Sequence, residues 1–357
     1  MKYRRLGKTG FDVSEIGFGS WQLTNGDAWV GSTKEESRKA LELALANGVN
    51  FIDTAMIYGN GLSEKWIGEV LRDWKGRKPY VATKIYPKKH KNFLKHSVPI
   101  EEAFPERWIH DAVDQSLKNL GVDCIDLMQF HVWEDSYSDM EYWKAAIREI
   151  TKEGKVGFWG ISLYDYQPMS CVRTLDTGLI STVQPIFNVF HQTPLDTILP
   201  IAKSKDIGII ARVPLDEGGL GGKINANTKF QKGDFRAHYF AGNRKRELDG
   251  RLHALRSASE NETKTLPELA LRFILSSDAV STTIPGMRRS EYVRADIMAA
   301  EKGPLSPALL AELRKHAWER NFYRPPLWDF ALGMPGKVCN RALETVFKGR
   351  SNENIQD

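Results

Sequence analysis

In the 357-residue sequence, three short apolar runs end in side chains that can move protons. Phe51-Ile52 leads straight into Asp53, and Tyr58 follows five residues later. Ala82-Thr83 leads into Lys84, and Gln129-Phe130 into His131. An acid, a phenol, an amine and an imidazole at one mouth have a chemical logic. Carbonyl reduction needs an acid that protonates the developing alkoxide, and oxidation of the alcohol needs the same group as a base. A free phenol, with a pKa of about 10, donates poorly at neutral pH. A nearby ammonium lowers that value, a carboxylate holds the ammonium in place, and an imidazole orients the substrate oxygen. Taken singly, each residue has a structural reading: a helix cap for Asp53, an ion pair for Lys84, a core hydrogen bond for His131. Tyr58 alone would say nothing. On successive apolar runs, the four point to one site.

That convergence requires a particular scaffold. Eight apolar runs (Ile16 to Gly19, Val49 to Ile52, Tyr80 to Thr83, Ile125 to Phe130, Val156 to Ile161, Thr182 to Phe187, Gly208 to Val213, Ser281 to Ile284) alternate with segments of helical period. Those segments are Lys34 to Asn47, Ser63 to Trp74, Arg107 to Leu120, Asp139 to Glu153, Pro168 to Asp176, Leu195 to Ser204, Leu266 to Ser276 and Ser290 to Ala300. The strand runs are continuous, as in parallel strands covered by helices on their outer face. Eight strand–helix units predict an α/β chain folded as a (β/α)8 TIM barrel, whose strand C-termini share one mouth. An open dinucleotide-binding sheet would carry G-x-G-x-x-G after its first strand, and Gly17-Phe18-Gly19-Ser20-Trp21-Gln22 does not. Gly218 to Lys223 fails the spacing of a phosphate loop, and Ile224 replaces its hydroxyl residue. Residues 2–15 read as an N-terminal β-hairpin turning at Lys8-Thr9-Gly10, and residues 223–262 as polar and basic without clear period. The barrel is placed at residues 1–320, with an extra C-terminal segment, 321–357, at its rim.

Composition narrows the classes. Hydrophobic residues make up 41% and charged residues 27%, which excludes disorder, collagen and coiled coil. No apolar run approaches the roughly 20 residues of a membrane span. The opening MKYRRLGKTG has no apolar stretch behind its arginines, so no signal peptide is read there and the expected compartment is the cytosol. Cys124, Cys171 and Cys339 are far apart, so neither a disulfide scaffold nor a metal site is expected. Fifty Lys+Arg against 45 Asp+Glu give a net charge of +5, too small an excess for nucleic acid. The densest basic run, Lys84, Lys88, Lys89, His90, Lys91, Lys95 and His96, reads as a solvated loop that would also suit an anion.

The segments Phe51-Ile52-Asp53-Thr54-Ala55 with Tyr58-Gly59, Thr83-Lys84 and Gln129-Phe130-His131 resemble the catalytic tetrad of the aldo-keto reductase superfamily. Arg5-Leu6-Gly7-Lys8-Thr9-Gly10 and Ile16-Gly17-Phe18-Gly19 are similar to its N-terminal signature, and the likeness runs from about residue 2 to residue 320. The resemblance implies a barrel that binds NADPH in extended form, with Tyr58 as general acid, Asp53 and Lys84 tuning it, and His131 placing the carbonyl. It further implies cofactor contacts by Gly19, Ser20, Trp21, Asp53 and Ser162, although Leu163 stands where the family has Asn. Gln184 is implied as the nicotinamide amide partner, and Arg212 as a flat group stacked on the ring in place of an aromatic residue. Pro214, Leu215, Gly218, Leu220 and Gly222 would form the loop over the pyrophosphate. Gly286, Arg288, Arg289, Tyr292 and Asp296 would hold the adenosine phosphate, the two arginines favouring NADP over NAD. Tyr292 and Asp296 depart from the usual residues there.

Trp21, Trp29 and Trp133 are expected to wall the substrate pocket beside Tyr58 and His131, with Phe322, Tyr323 and Trp328 from the tail. Glu134 and Asp135 would suit a polyhydroxylated carbonyl compound. The partner expected is a small-molecule carbonyl or its alcohol, with no nucleic acid and no membrane; a homo-oligomer is left open. The alternative is a nicotinamide-binding regulatory or sensor subunit with slow turnover.

Overall fold

The structure, a computed structural model, describes residues 1–24, 29–89, 98–319 and 323. The chain starts with a hairpin of β1 (Tyr3–Arg5) and β2 (Asp12–Ser14), antiparallel, with Tyr3 opposite Ser14. Then come β3 (Phe18–Gly19), β4 (Phe51–Asp53), β5 (Tyr80–Ile85), β6 (Ile125–Trp133), β7 (Val156–Leu163), β8 (Thr182–Gln184), β9 (Gly208–Ala211) and β10 (Thr282–Thr283). These eight pair in parallel and in chain order. The ends of the sheet meet through bridges from Ile16 to Thr283 and from Gly19 to Gly286, so the sheet closes as the expected (β/α)8 barrel. The closure sets the residue type at Gly19, whose Cβ, if it had one, would lie 2.6 Å from the carbonyl oxygen of Pro285.

The helices are α1 (Lys34–Ala46), α2 (Leu62–Asp73), α3 (Ile100–Ala103), α4 (Glu106–Leu120), α5 (Glu141–Lys152) and α6 (Val172–Asp176), then α7 (Ile198–Ser204), α8 (Arg236–Tyr239), α9 (Arg244–Ser259), α10 (Leu266–Leu275), α11 (Ser290–Glu301) and α12 (Pro307–Arg314). α1 shows why they form. Thr33 accepts a hydrogen bond from the Glu36 N–H as N-cap, and Ala40, Leu41, Ala44 and Leu45 make one buried stripe. The main core lies between the helices and the outer face of the barrel. Among the described residues, no helix is long and apolar enough to cross a membrane.

The hairpin seals one end of the barrel. Leu6 and Val13, both fully buried, join Phe51, Ala82, Leu127, Ile210 and Ile284 in a second apolar cluster. Gly7 there has φ 49°, and a Cβ would meet the Gly208 nitrogen at 2.2 Å, a fit open only to glycine. A cavity of about 550 Å³ opens at this end, lined among others by Lys2, Arg4, Glu15 and Asp278. Its Arg4 is committed to structure, donating to Glu15 and to the carbonyls of Leu275, Ser277 and Val280.

Residues 223–262 contain more order than their polarity implied. α9 runs for 16 residues and buries Leu248, Leu252 and Leu255 with Arg244 and Ser259. That stripe is narrow and sits on an otherwise charged helix. Of the C-terminal segment only Tyr323 is described, so the expected pocket roles of Phe322 and Trp328 lie outside the described residues, as do His90, Lys91, Lys95 and His96 of the basic run.

Candidate active site

The mouth is built from the C-terminal ends of the strands. The pairing register sets Gly19 beside Asp53, Asp53 beside Ala82, and Lys84 beside Gln129. Asp53 and Lys84 are almost fully buried, and the Lys84 ammonium donates to Asp53 Oδ1 at 2.5 Å and to the Thr54 carbonyl at 2.8 Å. The same ammonium lies 3.4 Å from the Tyr58 hydroxyl. His131 presents its ring edge-on to Tyr58, with centroids 6.4 Å apart. The four residues singled out by type and spacing thus meet at one end of the barrel.

His131 owes its placement to a defect in β6. The pairing with β7 slips between Phe130 and Trp133, and Val132 adopts φ 62°. A β-branched residue in the left-handed region is strained, at a cost of about 1–3 kcal/mol, and such strain gathers at functional sites. The bulge also decides where Trp133 goes. Plain alternation would put positions 131 and 133 on the same face. Instead Trp133 is fully buried, packs against Phe130, Tyr137 and Trp143, and donates its indole N–H to Thr174. Trp133 therefore does not wall the pocket. Neither does Asp135, whose carboxylate caps α6 by accepting from the N–H groups of Arg173 and Thr174; Glu134 is buried.

The walls near Tyr58 come from other residues. Trp21 stacks on Tyr58 at 6.2 Å and meets Phe235 at 5.5 Å. Trp29 is 3% exposed and packs behind Trp21 under the Arg236 guanidinium, so it supports the wall without forming it. Tyr86 abuts the His131 ring at 5.5 Å, and Tyr323 stacks on Phe235. Tyr86 and Phe235 were not singled out from sequence. Tyr86 had a signal, since it stands two residues beyond Lys84; Phe235 lay in the segment without period.

Electrostatics in the mouth differ in one respect from expectation. Burial raises the Tyr58 pKa, and this outweighs the lowering by Lys84. The phenol is therefore held above its ordinary value, not below it. Burial also works against the Lys84 ammonium, but the attraction of Asp53 and Tyr58 prevails and keeps its pKa high. His131 is pushed well below 6.5 by burial and then by the charges of Lys84 and Arg212. The mouth thus holds an ammonium, a protonated phenol and a neutral imidazole at neutral pH.

Beyond the tetrad, the residues matched to a nicotinamide dinucleotide follow the strand ends in order. Ser20 accepts a hydrogen bond from Ser63. The Ser162 hydroxyl is buried without a partner among the described residues. The Gln184 amide donates to Asp53 Oδ2 at 2.7 Å, so in this structure it supports the carboxylate. Arg212 is fixed by the Leu163 carbonyl at 3.0 Å and by Asp165 at 2.8 Å, its Nε unpartnered. After it the backbone turns left-handed at Val213, Asp216, Glu217 and Gly218, around Pro214 and Leu215. Gly218 has only one atom within 4 Å of a notional Cβ, at 3.9 Å, and Gly222 lies in the left-handed region. Leu220, by contrast, has a fully buried side chain, so only its backbone faces the loop. Glu217 bonds to the Tyr323 hydroxyl, and burial lifts its pKa to about 7.

At α11 the Arg288 guanidinium donates to the Val30 carbonyl at 2.8 Å. Burial lowers its pKa, and the charges of Arg236 and Arg289 add to that lowering. Arg289 has a buried, unpartnered Nε and a distant carboxylate, Glu291 at 3.9 Å. Gly286 packs on Gln22, and Lys223 reaches over the Tyr292 ring. Asp296 is 3% exposed with Oδ2 unpartnered. A hydroxyl, guanidinium nitrogens and a carboxyl oxygen without partners among the described residues fit a bound group rich in polar atoms. Among the described residues no cluster fits a metal ion.

The sequence pattern of the aldo/keto reductase family matches residues 15–317. The chain belongs to this family. It is 29% identical over 300 residues to the aldo-keto reductase YhdN of Bacillus subtilis, covering 83% of this chain and 87% of that one. It is 26% identical to a probable voltage-gated potassium channel subunit beta of Arabidopsis thaliana, with 88% and 96% covered. Among solved structures, the holo form of the aldo-keto reductase AKR11C1 from Bacillus halodurans superposes with a TM-score of 0.70 at 26% identity, covering 89% and 96% of the two chains. Aldo/keto reductases are oxidoreductases that use nicotinamide cofactors.

Proposed function

We propose that the protein is an NADP(H)-dependent oxidoreductase that interconverts a carbonyl compound and its alcohol, with Tyr58 as the general acid and base. The observation that carries this reading is the buried Asp53–Lys84 pair with the Tyr58 hydroxyl 3.4 Å from the ammonium. When bound, the cofactor supplies or accepts the hydride at the carbonyl carbon. The chain's part is the proton. A protonated Tyr58 donates its hydroxyl hydrogen to the developing alkoxide, and Lys84, 5.1 Å from the ring centroid, stabilises the phenolate left behind. Neutral His131 holds the substrate oxygen by a single donated hydrogen bond, leaving net charge in the mouth unchanged.

Ser162, Gln184 and Arg212 are proposed to hold the nicotinamide end, residues 214–222 to cover the pyrophosphate, and Arg288, Arg289, Tyr292 and Asp296 to hold the adenosine phosphate. The cationic group of Arg236, Arg288 and Arg289 supports NADP over NAD. Trp21, Phe235, Tyr86 and Tyr323 offer aromatic walls that accept an aldehyde, a ketone or the apolar face of a sugar.

NADPH consumption across aldehydes, ketones and sugars tests the reading, with Tyr58→Phe as control. The variant is expected to lose at least about a hundredfold in turnover while NADPH affinity stays within about twofold. Equal loss of both contradicts the acid role. The similarity to a channel beta subunit gives a second reading, a nicotinamide-binding regulatory subunit; tight NADPH binding without turnover on any carbonyl would favour it.

A further inference from the structure

Beneath Tyr58 the barrel is filled with polar groups. Asp53, Gln129 and Gln184 come from β4, β6 and β8, alternate strands, as the side chains of one barrel layer do. Their exposures are 2%, 0% and 1%. Asp53 Oδ1 is taken by Lys84 at 2.5 Å. Oδ2 accepts from the Gln184 amide at 2.7 Å and from the Gln129 amide at 3.3 Å, and the two amides lie 3.4 Å apart, Gln184 Nε2 to Gln129 Oε1. The β6–β7 register sets Gly160 beside Gln129, and a Cβ on Gly160 would crowd the Gln129 chain at 3.1 Å. Gln129 is thus held by packing with its amide turned to the carboxylate. Two buried amides in a layer usually filled by branched apolar residues call for a reason, because buried amides are kept only when bonded.

We propose that Gln129 is a positioning residue for proton transfer: with Gln184 it fixes the second oxygen of Asp53, and so sets how fully the Lys84 ammonium serves the Tyr58 hydroxyl. The proposal rests on the reading of Tyr58 as the acid and base. The charged and titratable groups that face Tyr58 are Asp53 from β4, Lys84 from β5, His131 from β6 and Arg212 beyond β9. Gln129 is neutral, so its loss alters this set only through Asp53. With one donor fewer, the carboxylate's charge falls more heavily on Lys84, and the ammonium draws less on the phenol.

The test compares the full-length protein with Gln129→Met, which keeps the length and removes the donor, and Gln129→Glu, which keeps the shape and adds charge beside Asp53. The probe is 3-fluorotyrosine installed at position 58, a more acidic phenol whose 19F shift is followed against pH without cofactor. The titration midpoint is expected to rise by about half to one pH unit in Gln129→Met and further in Gln129→Glu. In steady state, kcat is expected to fall about tenfold in Gln129→Met, with KM for the carbonyl within about twofold. A midpoint unmoved in both variants overturns the proposal, and so does a loss confined to KM. If Gln129→Met does not fold, the midpoint of Gln129→Glu alone decides. The ordered midpoints in a protein that reduces no carbonyl would leave the assignment of Gln129 standing and remove the functional reading.

Discussion

Asp296 carries a charge problem that one atom can remove. Its carboxyl lies on α11, 3% exposed, with one oxygen unpartnered, and burial lifts its pKa from 3.8 to about 8. Asp296→Asn keeps the shape and deletes the ionisation. Because the folded-state pKa is raised, the proton is bound more tightly in the folded protein. The stability linked to this group is complete below about pH 4 and is lost as pH rises through the folded value near 8. At about 1.4 kcal/mol per tenfold change in proton affinity, the cost of keeping Asp296 is about 4 kcal/mol at pH 7, and on the order of 5 kcal/mol above pH 8. At pH 3.5 it falls below about 0.5 kcal/mol. The variant is therefore more stable than wild type by an amount that grows with pH. Thermal melting without nucleotide reads this as a rise of about 4–10 °C between pH 7 and 8, at roughly 1–2 °C per kcal/mol in a chain of this size, and no rise at pH 3.5. A rise equal at both pH values, or a variant less stable at pH 8, refutes the account.

Other outcomes follow from the same geometry. Arg289→Ala is expected to weaken NADPH about tenfold and NADH less than about twofold, as removal of a phosphate partner does; equal losses in calorimetric titration would show that Arg289 does not read the extra phosphate. Trp133→Ala should cost about 3–5 kcal/mol of stability by opening a core cavity, while KM of the residual folded enzyme stays at the wild-type value; a specific rise in KM would return Trp133 to the pocket. Because burial pushes His131 well below 6.5, wild-type reduction should show no acid limb near pH 6.5, and a limb there that vanishes in His131→Gln contradicts the neutral imidazole.

Much of this arrangement was legible in the sequence. Continuous apolar runs recurring between helical segments specify a parallel barrel, because a strand covered on its outer face by helices and on its inner face by the barrel interior needs apolar residues at nearly every position. The same logic put Asp53, Lys84 and His131 at strand ends, where the three together, though none singly, point to a shared site. What stayed hidden depended on backbone detail or on long-range pairing. Trp133 was expected at the pocket wall because it closely follows His131, and a single left-handed residue, Val132, turns it into the core instead. α9 was missed because three leucines on a charged 16-residue helix leave little periodic signal. The buried ion pair of Arg244 with Asp216, at 2.9 Å, joins positions 28 residues apart whose sequence neighbourhoods give no hint of each other. In the sequence Gln129 stands out only as a neighbour of His131, since nothing along the chain says that its amide meets a carboxylate from a strand two places away.

The plug made by the N-terminal hairpin has a kinetic corollary. Leu6, Val13 and their five apolar neighbours close the far end of the barrel, and the layer of Asp53, Gln129 and Gln184 fills the channel above them. No molecule can thread through such a vessel, so everything that meets Tyr58 comes and goes by the same doorway. Two reactants sharing one doorway would have to queue, the one lodged deeper arriving first and leaving last.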